Sequence, residues 1–207
     1  MKSNLQATID WYNEHAEEYA GKVKSKFHRD DLKQFKKYLP EQAHVLDAGC
    51  AAGRDSQLLQ AMGLKVVGVD LSQKLIEIAR KENSNIKFVE ANLLKLPFSK
   101  ESFDGIWASA SLVHLEAKAQ VKQALSEFNR VLVSDGIVYL CVQNRLGHKS
   151  GWVSDDHSVE GRFFQFLNLL EIESLVKESG LKIIDSFERQ STRPGIVWSV
   201  VYAQKET

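Results

Sequence analysis

Hydrophobic residues follow two alternating patterns from residue 43 to about residue 143. Short continuous apolar runs predict buried strands, whereas apolar positions three or four residues apart predict helices that pack along one side. The predicted strands are 43–48, 65–70, 86–91, 103–110 and 136–142. The clearest helix lies between residues 117 and 132. This alternation predicts βαβ units and a mostly parallel sheet with helices on both faces.

The C-terminal third continues with one more helix and two strands. The segment 169–180, "LLEIESLVKESG", predicts an amphipathic helix that ends at Gly180. The runs 181–187 and 195–203 predict strands, and the turn-like "STRPG" between them favours an antiparallel pair. Open sheets of this class bind ligands outside the carboxyl ends of their strands, so we expect the site at that edge.

Composition and charge narrow the class of protein. The 207 residues predict one domain, and the equal totals of 27 basic and 27 acidic residues give no global field for nucleic acid or anionic membrane. Seven Lys/Arg between residues 22 and 37 are interpreted as a solvated helix face. Two cysteines make no disulfide framework, and neither a signal peptide nor a membrane span is recognised, so a cytoplasmic location is expected.

The stretch 45–56, "VLDAGCAAGRDS", carries the first candidate chemistry. A strand, Gly49, Gly53 and then a helix would expose backbone N–H groups to a ligand, although glycine turns of this kind are common. Asp70 ends the next predicted strand and is well placed to accept both hydroxyls of a ribose. Asp47 lies where a pyrophosphate would come, and G-x-G-x-x-G is missing. The ligand should therefore carry a ribose and a cationic part.

Five stretches together resemble a known superfamily. "VLDAGCAAG", "VVGVDLS", "VEANLLKLPF", "FDGIWASASLVHL" and "EFNRVLVSDGIVYL" are similar to successive motifs of class I S-adenosylmethionine-dependent methyltransferases, of the small single-domain type 11/12 kind. "WYNEHAEEYA" resembles the aromatic helix that often precedes them. The resemblance implies an α/β, Rossmann-like, doubly wound sheet of seven strands, with one antiparallel strand near the C-terminus. It also implies that S-adenosyl-L-methionine is the cofactor.

The resemblance implies a role for each matching residue around the methionine part of the cofactor. Gly49, Ala51 and Gly53 would form the surrounding loop, and Asp47 would face the cofactor's amino group. The family often has glycine at the position of Ala51, which is a mild departure. Tyr19 would close over the site from the N-terminal helix.

The nucleoside part of the cofactor is assigned in the same way. Asp70 would hold the ribose hydroxyls, and Leu71 would pack on the adenine. Asn92 and Leu93 match the site that reads the adenine edge, and Ser109 lies where the fourth strand ends. The family often has aspartate at the position of Asn92. An amide oxygen can still accept from the adenine amino group, but the charge is lost.

Methyl transfer depends mainly on alignment of the acceptor with the methyl group and on exclusion of water. Aromatic faces attract a sulfonium charge, and Tyr12, Tyr19 and Trp11 are candidates for this contact. His114 is the candidate catalytic base, because its class of side chain titrates near neutral pH. The alternative is that His114 orients a loop or bonds to backbone.

The segment 144–164 interrupts the regular pattern and is expected to cover the substrate side of the sheet. Its candidate pocket residues are Trp152, His157, Arg162 and Phe163, with Tyr12 as a further substrate contact. Arg162 suits a carboxylate or phosphate, or it pairs with one of Asp155, Asp156 and Glu160. No spacing supports a metal site. The resulting division is a helical lid (1–40), a cofactor core (43–143), this insertion and a C-terminal part (165–207).

The leading hypothesis is a methyltransferase that acts on an oxygen or nitrogen of a small molecule. A tRNA-base methyltransferase is the runner-up, which the basic run favours and the balanced charge opposes. A third hypothesis is a cofactor-binding protein that serves a partner without catalysis. A nicotinamide oxidoreductase comes last because of Asp47 and the glycine spacing. The oligomeric state is left open.

Overall fold

The computed structural model describes residues 2–23, 29–155 and 158–206. The described strands are β1 (His44–Ala48), β2 (Lys65–Asp70), β3 (Lys87–Glu90), β4 (Phe103–Ser109), β5 (Leu132–Arg145), β6 (Gly151–Asp155), β7 (Ser158–Phe164), β8 (Leu181–Gln190) and β9 (Ile196–Lys205). The described helices are α1 (Asn4–Glu14), α2 (Ala16–Val23), α3 (Arg29–Lys37), α4 (Arg54–Ala61), α5 (Gln73–Glu82), α6 (Lys118–Val131) and α7 (Leu169–Glu178), with a 3₁₀ turn at Leu112–His114.

The main sheet has seven strands in the order β3-β2-β1-β4-β5-β9-β8. Strands β1 to β5 pair in parallel, and β9 runs antiparallel to both of its neighbours, β5 and β8. A short turn joins β8 to β9, and strands joined in this way must run in opposite directions. The expected doubly wound sheet with one antiparallel strand near the C-terminus is confirmed.

Each face of the sheet carries its own hydrophobic core, because successive strand residues point to opposite faces. On one face Leu46 and Ile106 pack with residues of α6 and α7. On the other face Val45, Trp107 and Tyr139 pack with residues of α3, α4 and α5. Helices on both faces are therefore confirmed.

Segment 144–164 differs from the expected irregular insertion. Strand β5 continues to Arg145, and β6 and β7 then form a separate two-stranded antiparallel sheet. Strand β7 is anchored by a hydrogen bond from the Phe163 N–H to Thr8 Oγ1 (3.2 Å). Gln165 N–H donates to the Val113 carbonyl beyond it (2.6 Å). The hairpin thus lies against α1 and the 3₁₀ turn, on the side where a substrate cover was expected.

The basic run is described only in part, since Lys24 and Lys26 lie outside the described residues. On α3 Lys33 and Lys37 are exposed, which agrees with a solvated helix face, but Asp31 within the same run is buried. Both cysteines are free and buried. Among the described residues, no helix is long and apolar enough to span a bilayer.

Candidate active site

A cavity of about 1000 Å³ opens at the carboxyl ends of the parallel strands, between the β1–α4 loop, α1, α2, β7 and the β8–β9 turn. Most of the predicted site residues line it: Tyr12, Tyr19, Asp47, Gly49, Ala51, Asp70, Leu71, Asn92, Leu93, Ser109, His114 and Arg162. Four other predicted residues that the structure describes lie outside this lining: Trp11, Gly53, Trp152 and Phe163. Trp152 is half exposed on β6, where its Nε1–H donates to Asn4 Oδ1 (3.1 Å).

Four N–H groups of the β1–α4 loop already have acceptors within the protein, three of them on β2. Gly49 and Cys50 N–H both donate to the Val69 carbonyl (2.8 and 2.9 Å), and Gly53 N–H donates to the Cys50 carbonyl (2.9 Å). Ala51 N–H donates to Asp70 Oδ2 (2.9 Å). The expected free N–H groups are therefore absent at these four residues. A loop of this kind is poorly suited to a phosphate, in agreement with a cationic ligand.

Both loop glycines have a positive φ, +85° at Gly49 and +82° at Gly53. A Cβ at Gly49 would lie 2.2 Å from Ser111 Cβ, and one at Gly53 would lie 2.8 Å from Phe88 Cζ. The chain's own packing therefore requires both glycines, in addition to any approach of a ligand.

Asp47 is a buried acid at the end of β1. It accepts a hydrogen bond from Ser56 Oγ (2.5 Å). Burial first, and then the nearby Asp55 carboxylate, raise the pKa of Asp47 to about 8. An acid in this state gains a favourable partner when a cation binds beside it. Asp47 can thus meet a cationic group in the cavity.

Asp70 is half-buried at the end of β2 and bridges two loops. Its two carboxylate oxygens accept from Ala51 N–H and from Ser72 N–H, each at 2.9 Å. Burial raises the pKa of Asp70, against the opposing effect of these backbone donors. A carboxylate oxygen has more than one lone pair, so both oxygens can accept further hydrogen bonds from a ligand.

Asn92 follows β3 on the same side of the cavity as Leu71. Its Oδ1 accepts from Leu94 N–H (2.9 Å), which closes a local turn. Leu93 is buried beside it. One lone pair of the amide oxygen is therefore already engaged by the chain.

His114 is hydrogen-bonded at both ring nitrogens. Nδ1 lies 2.8 Å from the Phe163 carbonyl, and Nε2 lies 2.9 Å from the Tyr12 hydroxyl. Because the carbonyl can only accept, Nδ1 carries the hydrogen, and in a neutral ring Nε2 then accepts from Tyr12. The geometry matches the alternative interpretation, in which His114 bonds backbone and orients the hairpin. Its catalytic role stays a prediction.

Arg162 reaches from β7 into a group of aromatic rings on α1 and α2. Its Nη1–H donates to the Tyr12 hydroxyl (2.6 Å). The guanidinium carbon lies 4.8 Å from the Trp11 ring centre, 5.2 Å from Tyr12, 5.6 Å from Tyr19 and 5.3 Å from Phe164. Contacts of this kind are attractive within about 6 Å. Arg162 thus holds the hairpin to the N-terminal helices at the cavity.

Several expected contacts of segment 144–164 fall outside the described part of the chain. Asp156 and His157 are not described, and neither are the side chains of Asp155 and Glu160. Within the described ranges, no three His, Cys, Asp or Glu side chains form a group that could hold a metal.

Sequence patterns missed some residues of the cavity wall. Ser111 follows Ala110, a non-glycine residue with φ of +57°, and the segment "ASAS" carried no signal for it. Arg189 also lines the cavity, and Asp31 holds it through two hydrogen bonds (3.0 and 2.7 Å). Asp31 lies in the basic run, where a buried acid could not be recognised from charge pattern alone.

The sequence of this chain is similar to those of known proteins. Residues 46–140 match a family described as a methyltransferase domain. The chain is 28% identical over 168 residues to the O-methyltransferase cnsE of Penicillium expansum, covering 73% of this chain and 56% of that protein. The chain spans 56% and 60% of the length of the first two curated relatives, which is less than two thirds.

Solved structures share the fold. A S-adenosylmethionine-dependent methyltransferase from Methanosarcina mazei superposes with a TM-score of 0.76 at 23% identity, covering 84% of this chain and 97% of that one. The 1,6-didemethyltoxoflavin N1-methyltransferase of Burkholderia thailandensis, solved with bound 1,6-didemethyltoxoflavin and S-adenosylhomocysteine, also gives a TM-score of 0.76, at 21% identity. The superposition covers 100% of this chain and 92% of the Burkholderia thailandensis chain.

Proposed function

We propose that the chain is a class I, S-adenosylmethionine-dependent methyltransferase and that it transfers a methyl group from S-adenosylmethionine to an oxygen or nitrogen of a small molecule. The observation that carries the proposal is the acidic end of the cavity. There Asp47, Asp55 and Asp70 surround a loop whose N–H groups at residues 49, 50, 51 and 53 are already used. Such a site fits a cationic nucleoside better than a phosphorylated one.

The residues present fit this cofactor. Asp47 would face its amino group, Asp70 would accept from its ribose hydroxyls, and Leu71, Asn92 and Leu93 would surround the adenine. Gly49, Ala51, Ser109 and Tyr19 would complete the wall, and Gly53 would keep the loop's conformation, since a Cβ at this position would meet Phe88. When bound, the cofactor supplies a methyl group on a sulfonium, which is already activated for displacement.

The chain's own contribution on the acceptor side would be alignment and the exclusion of water. Tyr12 and Arg162 lie in the cavity wall where α1 meets β7, and His114 fixes both elements through its two hydrogen bonds. Burial raises the pKa of Tyr12 well above its ordinary value, so its hydroxyl stays protonated and keeps its hydrogen bond to His114 Nε2. Trp152 would contribute only to the outer surface of this cover.

A small acceptor agrees with a cavity of about 1000 Å³ that is walled by helices, a hairpin and a turn. The names of similar proteins include both oxygen and nitrogen as the methylated atom. One curated relative is an O-methyltransferase, and one solved structure is an N1-methyltransferase. A tRNA base is the alternative acceptor, for which salt-dependent tRNA binding is the test.

The test of this function is calorimetric titration with S-adenosylmethionine and S-adenosylhomocysteine, with NADH as the negative control. We expect micromolar binding of both sulfur nucleosides. Asp70→Asn should weaken both by about tenfold or more, because the isosteric amide loses the charged acceptor. Asp30→Asn is the matched control, since the Asp30 side chain is 97% exposed on α3.

Two outcomes would contradict the proposal. Binding of NADH in place of the sulfur nucleosides would assign the site to a different cofactor. Unchanged affinity in Asp70→Asn would remove Asp70 from the ribose contact.

A further inference from the structure

Two buried serine hydroxyls have no hydrogen-bond partner within the described part of the chain. They are Ser111 Oγ and Ser199 Oγ. Ser111 lines the cavity, whereas Ser199 lies on β9 away from it. A buried hydroxyl without a partner has lost its hydrogen bonds to water and gained none in return, so it destabilises the free protein. An unpaired hydroxyl at a cavity wall therefore points to a missing ligand.

The backbone holds Ser111 against the β1–α4 loop. Ala110, with φ of +57°, turns the chain at the end of β4, and its N–H is anchored on the Cys141 carbonyl (2.8 Å). A Cβ built on Gly49 would come within 2.2 Å of Ser111 Cβ and 3.1 Å of Ser111 Oγ. The unfavourable backbone conformation of Ala110 thus places Ser111 against the loop. Backbone strain of this kind is concentrated at binding sites.

The position of Ser111 in the sheet selects one end of the ligand. Strand β4 pairs with β1, whose end carries Asp47, whereas the adenine residues Asn92 and Leu93 follow β3 at the far edge. Ser111 therefore lies at the amino-acid end of the proposed cofactor and away from its base. That end carries a carboxylate as well as an ammonium group.

A carboxylate beside Asp47 and Asp55 needs hydrogen-bond donors. The N–H groups of Gly49, Cys50, Ala51 and Gly53 already donate to acceptors on β2 or in the loop. The Ser111 hydroxyl is a donor that has no hydrogen-bond partner in its present rotamer. Rotation of this side chain about Cα–Cβ therefore breaks no hydrogen bond. On the basis of the proposed function, we propose that Ser111 binds the amino-acid end of the cofactor through its hydroxyl.

The experiment compares S-adenosylhomocysteine with 5′-methylthioadenosine, which has the same nucleoside and lacks the amino-acid end. Both are titrated calorimetrically into the wild type, Ser111→Ala and the matched control Ser199→Ala. We expect Ser111→Ala to bind S-adenosylhomocysteine about tenfold more weakly and 5′-methylthioadenosine as well as the wild type does. Ser199→Ala should bind both like the wild type.

Stability supplies a second readout. Without ligand, Ser111→Ala should melt at the same temperature as the wild type or higher, because the variant loses a hydroxyl that had no partner. If Ser111→Ala melts at a lower temperature than the wild type, the titration is repeated with Ser111→Cys. The cysteine side chain is similar in size to serine and forms only weak hydrogen bonds.

Either of two results would overturn the inference: equal affinity of the wild type and the variant for S-adenosylhomocysteine, or an equal loss for both ligands. Failure of the proposed function is distinct from these, because the wild type itself would then bind neither ligand.

Discussion

Asp47 is a single residue whose protonation should govern binding of the cofactor. Its pKa of about 8 means that the free protein holds it protonated at neutral pH. A cationic amino group would favour the ionised form, so binding must release a proton wherever Asp47 is protonated in the free protein. The burial that raises the pKa therefore links affinity to pH.

We expect the affinity for S-adenosylhomocysteine to fall as pH is lowered below about 8, by up to about tenfold per pH unit. Calorimetry in buffers of different ionisation enthalpy would measure the released proton directly. Asp47→Asn is the control, which should bind weakly with little dependence on pH. A flat affinity between about pH 6 and pH 9 in the wild type, with no proton released, would refute the link.

The same residue affects stability in a defined direction. Because its folded pKa is raised, the carboxyl supports the folded state most at low pH, below its unfolded pKa of about 4. That support is lost as pH rises through about 8. The gain in stability from Asp47→Asn should accordingly grow between about pH 4 and pH 8 and stay level above pH 8, as measured by urea unfolding.

Residue type and the family resemblance together pointed to many residues that line the cavity, and the roles of these residues stay predictions. His114 was selected because its class of side chain titrates near neutral pH, yet its two nitrogens are taken up by Phe163 and Tyr12. Those partners come from β7 and α1, which are remote in sequence. Pairings of that kind depend on tertiary structure and leave no trace in local pattern.

At the scale of an element, the β1–α4 loop explains why its middle position favours glycine. Ala51 has a φ of +47°, in the left-handed region where a Cβ is unfavourable. The neighbouring Ala52 does not have a positive φ. The two alanines thus form a matched pair within one loop.

Ala51→Gly should stabilise the protein by about 1 kcal/mol, which corresponds to roughly 2–4 °C in Tm for a chain of this size. Ala52→Gly should leave Tm unchanged or lower it, because glycine adds freedom to the unfolded chain. Thermal unfolding of the two variants beside the wild type measures the difference. A lower Tm for Ala51→Gly than for Ala52→Gly would show that the loop is not strained at residue 51.

The elements of the main sheet were predictable because their hydrophobic periods match their structure. The buried positions of α6 include Val121, Leu125 and Phe128, as its spacing predicts. The β6–β7 hairpin was missed because it pairs only with itself and packs on α1, so its sequence lacks the alternation of a sheet with one buried face.

At the scale of the whole molecule, buried Asp31 connects α3 with strands β5, β8 and β9 of the sheet. Its carboxylate accepts from Tyr139 Oη on β5 (2.7 Å) and from both terminal nitrogens of Arg189 on β8. Its carbonyl accepts from Tyr202 Oη on β9 (3.1 Å). One acid thus joins an N-terminal helix to three strands.

Asp31→Asn should lower the free energy of unfolding by about 3 kcal/mol, because it leaves the Arg189 charge without its carboxylate. Urea unfolding of this variant beside Asp30→Asn gives the comparison, since the Asp30 side chain is 97% exposed and the Asp31 side chain only 5%. Equal stability of the two variants would show that the ion pair contributes little.

The cavity walls come from different parts of the chain. Asp47, Gly49, Asp70 and Asn92 belong to the segment 46–140, whereas Tyr12 and Arg162 come from the flanking segments. Mutations in the flanks can therefore alter the part of the cavity proposed for the acceptor while the residues proposed for the nucleoside stay under separate selection. Descendants of one ancestral gene could in this way diverge in substrate and keep a common methyl donor.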